Sequence, residues 1–196
     1  MKDDVLKSRL SRALKESTED IMTDTQVDNN SSTLDVSATN VMASYQNANK
    51  WLDIIKEYLL MNCGCVFFSN YIHNLAHSMP VRFDKFGDIL HTIDMKVPYP
   101  ATAYIDSEPS SVEESFDKVC TILDNISSAL VEFIGVSESN NYKAMSVSAE
   151  ALLEDISNEY TNLKRMRRVL NQCEGDIVKF DKWVAQYLNN LGTLID

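Results

Sequence analysis

Glycine and proline are scarce in this chain, which has five glycines and four prolines among 196 residues. Folds built from many short strands need tight turns, and tight turns depend on these two residue types. Hydrophobic residues make up 44% of the chain and charged residues 24%, which is an ordinary composition for a soluble domain with a substantial core. The composition therefore disfavours an all-β fold and predicts one helical domain with a tail.

Positive charge is in deficit, since the formal net charge is −11. An acidic surface repels nucleic acid and anionic membranes, and it attracts cations. The basic side chains of residues 2–21, a segment with the pattern of a short amphipathic helix, are cancelled by acids in the same segment. We therefore expect metal ions or basic partners, and we expect neither DNA nor a membrane as a partner.

The sequence also lacks long apolar runs and paired metal-binding cysteines. No uncharged run approaches the roughly 20 residues that span a bilayer, and the N-terminus has no apolar signal core. Cys63 and Cys65 form the only close cysteine pair, and no second pair stands at zinc-ligand spacing. These absences predict a cytoplasmic protein with reduced thiols.

Apolar residues recur at alternating steps of four and three in four long segments, which is the pattern of helices packed against other helices. Three of the four prolines lie in residues 96–110, KVPYPATAYIDSEPS, which predicts a long ordered connection. The predicted helices are A from Val41 to about Asn62, B from Phe67 to Ile93, C from Val112 to Phe133, D from Met145 to Leu170, and a short fifth from Ile177 to Leu191, with a turn over residues 135–142.

This layout predicts an all-α four-helix bundle with a long crossover between helices B and C and a short fifth helix. The bundle occupies residues 41–196. Residues 1–40 form an N-terminal extension, in which a polar linker over residues 22–40 follows the amphipathic helix. We expect any protein partner to bind through this extension.

Helix B concentrates the residues that could bind a metal. His73, His77, Asp84 and Asp88 fall near one face at helical spacing, while apolar residues occupy the opposite face. Pro80 lies between the histidines and the aspartates, and it removes a backbone donor and clashes one turn back. The helix is therefore expected to kink at this position or to break in two.

Several strings resemble the ferritin-like superfamily over roughly residues 41–190. HNLAHSM at residues 73–79 resembles the Glu-x-x-His iron-ligand string of ferritin helix B, with Asn74 in place of the glutamate and His77 in place of the histidine. NYIHN, KFGDIL and VPYPATAYID resemble the starvation-type DNA-protection branch, and SNEYTNLKRM resembles helix D of bacterial ferritins. The resemblance implies a ferritin-like oligomer, a dimer or a closed cage, that binds iron, with Fe(II) oxidation as the enzymatic activity if there is one.

The sequence departs from the ferritin pattern inside the bundle. A ferritin di-iron centre needs carboxylates that point inward from several helices. Asp53 and Glu57 on helix A are rotated well away from its apolar face, and Asp124 on helix C lies about 100° from the core direction. Glu159 alone lies at the edge of a core face. The sequence therefore predicts no ferritin-type site within the bundle.

The starvation-type branch places its metal between subunits, and helix B suggests the same here. His73 lies as far before the midpoint between Pro80 and Val81 as Asp88 lies after it. His77 and Asp84 are related in the same way. Two antiparallel copies of helix B would therefore bring each histidine to a partner aspartate about one two-fold axis, and such a site suits iron or zinc.

Two other interpretations remain open. The stripe of histidines and aspartates is also typical of a solvated or dimer-lining helix face held by hydrogen bonds. In that case the protein would be a non-catalytic bundle without metal, with a structural or partner-binding role.

Overall fold

A computed structural model describes residues 33–102 and 107–190 of the chain. The chain divides into two units, residues 1–36 and residues 37–196. The predicted helix at residues 2–21 and most of the predicted linker lie outside the described residues. The division into an extension and a bundle therefore stays a prediction.

The described residues form five helices and no strand, so the all-α prediction is confirmed. They are α1 (33–61), α2 (Val66–His91), α3 (Val112–Ser139), α4 (Lys143–Gln172) and α5 (Ile177–Asn190). The apolar positions spaced by four and three are the buried ones, and they include Leu52, Ile72, Leu123 and Ile156, each fully buried or nearly so. Burial of these faces drives the association of the helices.

The connection from α2 to α3 runs back along the bundle. The Val97 side chain lies beside Gly87, 3.4 Å from where a Cβ at that position would be, Tyr99 packs on Phe83 with ring centroids 5.8 Å apart, and Thr102 accepts a hydrogen bond of 2.6 Å from Lys50 on α1. As the connection proceeds, it thus passes progressively earlier parts of α2. This is the predicted crossover, and it lets α3 start at the end of the bundle where α2 starts.

An aromatic cluster ties the starts of α2 and α3 to α5. The Phe68 ring stacks on Phe116 at 4.4 Å and meets the edge of Phe180 at 5.5 Å. Asp181, next to Phe180, accepts hydrogen bonds from the backbone amides of Phe67 at 3.2 Å and Phe68 at 2.9 Å. The side chain of Cys65, the N-cap residue, makes no capping hydrogen bond, and the Asp181 carboxylate from α5 satisfies two amides of the first turn and complements the helix dipole.

Helix α2 continues without a break through Pro80, so the predicted break into two helices does not occur. Pro80 cannot donate to the carbonyl of Ala76, its partner four residues earlier. The side-chain amide of Asn49 on α1 donates to that carbonyl instead, at 3.0 Å. Pro80 itself is exposed on the outer side of the helix, where its ring meets solvent. A neighbouring helix thus replaces the hydrogen bond that the proline removes.

Two predicted boundaries are wrong. Residues 33–40 are helical, although the sequence placed them in a linker, because Ser37 and Ala38 lie on a buried face and continue the packing of α1. Helix α3 extends to Ser139, although a turn was predicted from Gly135. The turn begins at Asn140, and Asn141 takes the left-handed conformation that reverses the chain.

Helix α3 is also long and apolar enough, by length and composition, to cross a membrane; its most apolar window has a mean hydropathy of 1.5. Its buried side chains, which include Phe116, Leu123 and Phe133, pack in the bundle core. Buried residues make up 39% of the most apolar stretch of α3, so packing in the core accounts for part of its apolar character.

Candidate metal site and the bundle interior

The predicted metal ligands lie together on the outer side of α2. His77, Asp84 and Asp88 are exposed, and His73 is partly buried. The apolar face of the same helix, with Phe68, Ile72 and Leu75, is buried in the core. The predicted rotation of α2 is therefore correct, and because the helix is unbroken, all four ligands lie along one surface, named here the α2 stripe.

The two histidines of the α2 stripe contact each other. Their ring centroids are 4.3 Å apart and the rings are nearly perpendicular, at 87°. The Nδ1 atom of His73 is buried and has no hydrogen-bond partner among the described residues. Two histidines four residues apart on one helix face can bind the same metal ion, as they do in zinc-binding helices.

The described residues of one chain do not complete such a site. His77 and Asp84 are seven residues apart, a rise of about 10.5 Å along a helix, whereas metal–ligand bonds are about 2 Å long. Among the described residues, no group of three or more His, Cys, Asp or Glu side chains is placed to bind a metal. The aspartates of the α2 stripe can therefore join these histidines only if a second molecule supplies them.

The bundle interior holds a different polar cluster, between α2 and α4. Glu159 accepts a hydrogen bond of 2.8 Å from the hydroxyl of Tyr71 and forms an ion pair with Arg82 at 3.5 Å. The guanidinium of Arg82 also donates to the hydroxyl of Ser78. The side chains of Arg82 and Glu159 are 10% and 25% exposed, so both charges lie largely out of water. The inward carboxylate is thus neutralised by an arginine.

This cluster does not fit a metal centre. Among the described residues, Glu159 is the carboxylate that contacts Tyr71 and Arg82, and Asp53, Glu57 and Asp124 are exposed, as their positions on the helices predicted. A guanidinium carries a permanent positive charge and has no lone pair to donate to a metal. The chemistry of these residues is that of a structural ion pair.

The Tyr71 hydroxyl is held in its protonated form. Burial is the largest cause that raises its pKa well above 10.0, and the neighbouring Glu159 carboxylate raises it further. Burial likewise raises the pKa of Tyr45 on α1, while the positive charge of Arg82 lowers it. Both phenols therefore act as neutral hydroxyl groups near the ion pair.

Sequence reasoning missed Arg82, Tyr71 and Asn49. For Arg82 a signal was present, because it lies three residues after Met79 and four before Phe86, in the middle of the buried face of α2. A charged residue at such a position predicts a buried partner. Asn49 gave no comparable signal, since its role depends on the carbonyl of Ala76 from another helix.

Solved structures with a similar fold include bacterioferritins. A mycobacterial bacterioferritin and BfrA from M. tuberculosis each superpose with a TM-score of 0.66 at 11% sequence identity, covering 78% of this chain and 92% of theirs. No protein-family model and no curated protein sequence matches the chain. The chain therefore has the ferritin-like bundle fold that the sequence strings suggested.

Proposed function

We propose that the protein is a ferritin-like, iron-binding homo-oligomer that binds the metal between two copies of the α2 stripe. The contact between His73 and His77, with ring centroids 4.3 Å apart, carries the proposal, because it places two imidazoles side by side on the outer face of α2. In an antiparallel pair of α2 helices, Asp84 and Asp88 of the second copy face these rings. An isologous dimer then contains two equivalent sites, which is one metal ion per chain.

The donor set suits this assignment. Imidazole nitrogen and carboxylate oxygen together are ligands for iron and zinc. The chain's net charge of −11 attracts cations, and the cytoplasm that we expect for it keeps iron as Fe(II). Fe(II) would be the substrate if the oligomer is a ferroxidase, and a closed cage would sequester the oxidised product.

Titration of the anaerobic protein with Fe(II), followed by air, tests the proposal. We expect one bound iron per chain and a dimer or larger oligomer by light scattering. His77→Ala and Asp84→Asn should each weaken binding at least about tenfold, because each removes a ligand from a small set. His91→Ala is the matched control, since His91 is exposed on α2 and its symmetry counterpart is Asn70, which offers no carboxylate.

Three results would contradict the proposal. The first is a monomer that stays monomeric at saturating iron. The second is iron binding that is unaffected by both ligand substitutions. The third is the absence of binding at micromolar iron. Zinc in a parallel titration distinguishes a general divalent-metal site from one that favours iron.

The bundle interior favours a second candidate, a non-catalytic bundle with a structural or partner-binding role. Arg82 supplies beside Glu159 the positive charge that a metal ion would otherwise supply, so the interior needs no metal for charge balance. This candidate predicts that His77→Ala and Asp84→Asn leave oligomer size and thermal stability unchanged, and that chelators do not alter the melting temperature. A melting temperature that rises with added iron would contradict it.

A further inference from the structure

The cleft between the end of α4 and α5 differs in charge from the rest of this acidic chain. It has a volume of about 660 Å³, and Lys179, Lys182 and Trp183 line it on the α5 side. Val169 and Gln172 line it on the α4 side. A volume in this range is that of a small-molecule site.

Arginines extend this positive surface along α4. Arg165 and Arg168 precede Val169 by four residues and one residue, so helical spacing places Arg165, Val169 and Gln172 on one face, with Arg168 beside them. The Arg165 guanidinium lies over the Tyr187 ring, 5.6 Å from its centroid. Across the described ranges, 33–102 and 107–190, neither these arginines nor the two lysines of the cleft form an ion pair.

Acidic residues do not cancel this charge. Asp176 lines the cleft, but its carboxylate accepts the backbone amide of Lys179 at 2.9 Å, as a cap for the start of α5. Glu174 is exposed in the preceding turn. Among the described residues, two lysines line the cleft and two arginines lie next to it on α4, against the carboxylates of Asp176 and Glu174, whereas the whole chain has 29 acidic and 18 basic side chains.

An aromatic wall completes the cleft. The Trp183 ring stacks on Tyr187, with centroids 5.0 Å apart and planes 12° from parallel, which fixes the orientation of the indole. Trp183 also lines the cleft. A fixed indole is a surface on which a planar base can stack, and stacking of this kind contributes substantially to binding.

We propose that this cleft binds a mononucleotide, with the base stacked on Trp183 and the phosphate held by Lys179 and Lys182. Lysine ammonium groups bind phosphate as point charges, and the nearby arginines add to the attraction. The cleft accommodates one nucleotide rather than a strand, because strand-binding proteins track several successive nucleotides along an extended groove. The proposal is independent of iron binding by the α2 stripe.

Tryptophan fluorescence tests the proposal, since the chain has two tryptophans, Trp51 and Trp183. In the Trp51→Phe variant of the full chain, the emission comes from Trp183 alone. We expect saturable quenching by AMP at micromolar to low millimolar concentration, weakening as salt is added. Lys179→Ala combined with Lys182→Ala should raise the dissociation constant at least about tenfold. The control pair Lys96→Ala and Lys143→Ala, both exposed and outside the cleft, should leave it unchanged.

Results of three kinds would overturn the assignment of a mononucleotide to this cleft. Absence of quenching and of heat in calorimetry at millimolar AMP would overturn the proposal. Inorganic phosphate that binds as tightly as AMP, or adenosine that does, would show that base and phosphate are not recognised together. Binding of a short oligothymidylate without binding of AMP would assign the surface to a nucleic-acid strand instead. Calorimetry with Trp183→Leu, checked for folding by circular dichroism, should show lost affinity for AMP.

Discussion

The hydrogen bond from Asn49 to the carbonyl of Ala76 should carry a measurable share of the stability of the bundle. Ala76 is only 1% exposed, so water cannot replace a lost donor, and Pro80 provides no backbone amide. Leaving a buried acceptor without a partner costs about 1–3 kcal/mol. We therefore expect Asn49→Ala to lower the free energy of unfolding by an amount in this range.

The same substitution should cost much less when Pro80 is replaced by alanine. Pro80→Ala returns the amide that closes the helical bond to Ala76, so Asn49 becomes redundant for that carbonyl. In this background Asn49→Ala should cost only about 0.5 kcal/mol, close to the net worth of an ordinary hydrogen bond. The coupling energy between positions 49 and 80 should then be about 0.5–2.5 kcal/mol.

Urea unfolding of the four proteins, followed by far-ultraviolet circular dichroism, measures this coupling. The slopes against urea should agree among the variants, so that differences in midpoint report stability. Equal costs of Asn49→Ala in both backgrounds, within about 0.3 kcal/mol, would refute the reasoning, because they would show that the proline does not create the need for the amide. The outcome matters for function, since a continuous α2 keeps His77 and Asp84 on one surface.

Three further predictions concern the polar contacts of α2. Arg82→Ala should lower the free energy of unfolding by about 1–3 kcal/mol, which is below the range for fully buried pairs because the Glu159 side chain is 25% exposed. The double variant Arg82→Met with Glu159→Leu should restore most of this loss, because it leaves no unpaired charge. Equal losses of stability in Arg82→Ala and in the double variant, measured by urea unfolding, would exclude a charge effect. Asp181→Ala should cost about 1–2 kcal/mol in urea unfolding by freeing two amides at the start of α2, and more than Asp176→Ala, which removes a local cap of α5. Because the pKa of Tyr71 is raised in the folded state, the stability it contributes should be retained below its unfolded pKa near 10 and should fall as the pH rises above that value. Tyr71→Phe should flatten this fall when unfolding is measured as a function of pH. An unchanged slope would contradict the raised pKa of Tyr71.

The bundle was predictable because its apolar residues follow one helical period over long segments. Burial of Leu52, Ile72 and Leu123 follows from spacing alone, and so does the exposure of His77 and Asp84 on the opposite side of α2. The boundary at Gly135 was wrong, because a single glycine lowers helix propensity by about 1 kcal/mol, which packing of the flanking turns overcomes. Local pattern is therefore reliable for faces and less so for ends.

The pairing of polar groups could not be read in the same way. Arg82 with Glu159 and Asp181 with the start of α2 join residues that are 77 and 113 or 114 positions apart. Nothing in a helical period states which distant helix will lie opposite a given side chain. The two candidate binding surfaces show the same division, since the α2 stripe lies within one helix, whereas the cleft beside Trp183 needs α4 and α5 together.

The sequence by itself determined that the chain is helical, which face of each helix is buried, and that His73, His77, Asp84 and Asp88 share one side of α2. It did so because these properties depend on residue spacing within a single helix. Only the tertiary structure decided that α2 continues through Pro80, that Glu159 faces an arginine, and that α5 caps α2. These outcomes depend on hydrogen bonds and charges supplied by a different helix, and those partners become defined only when the helices pack.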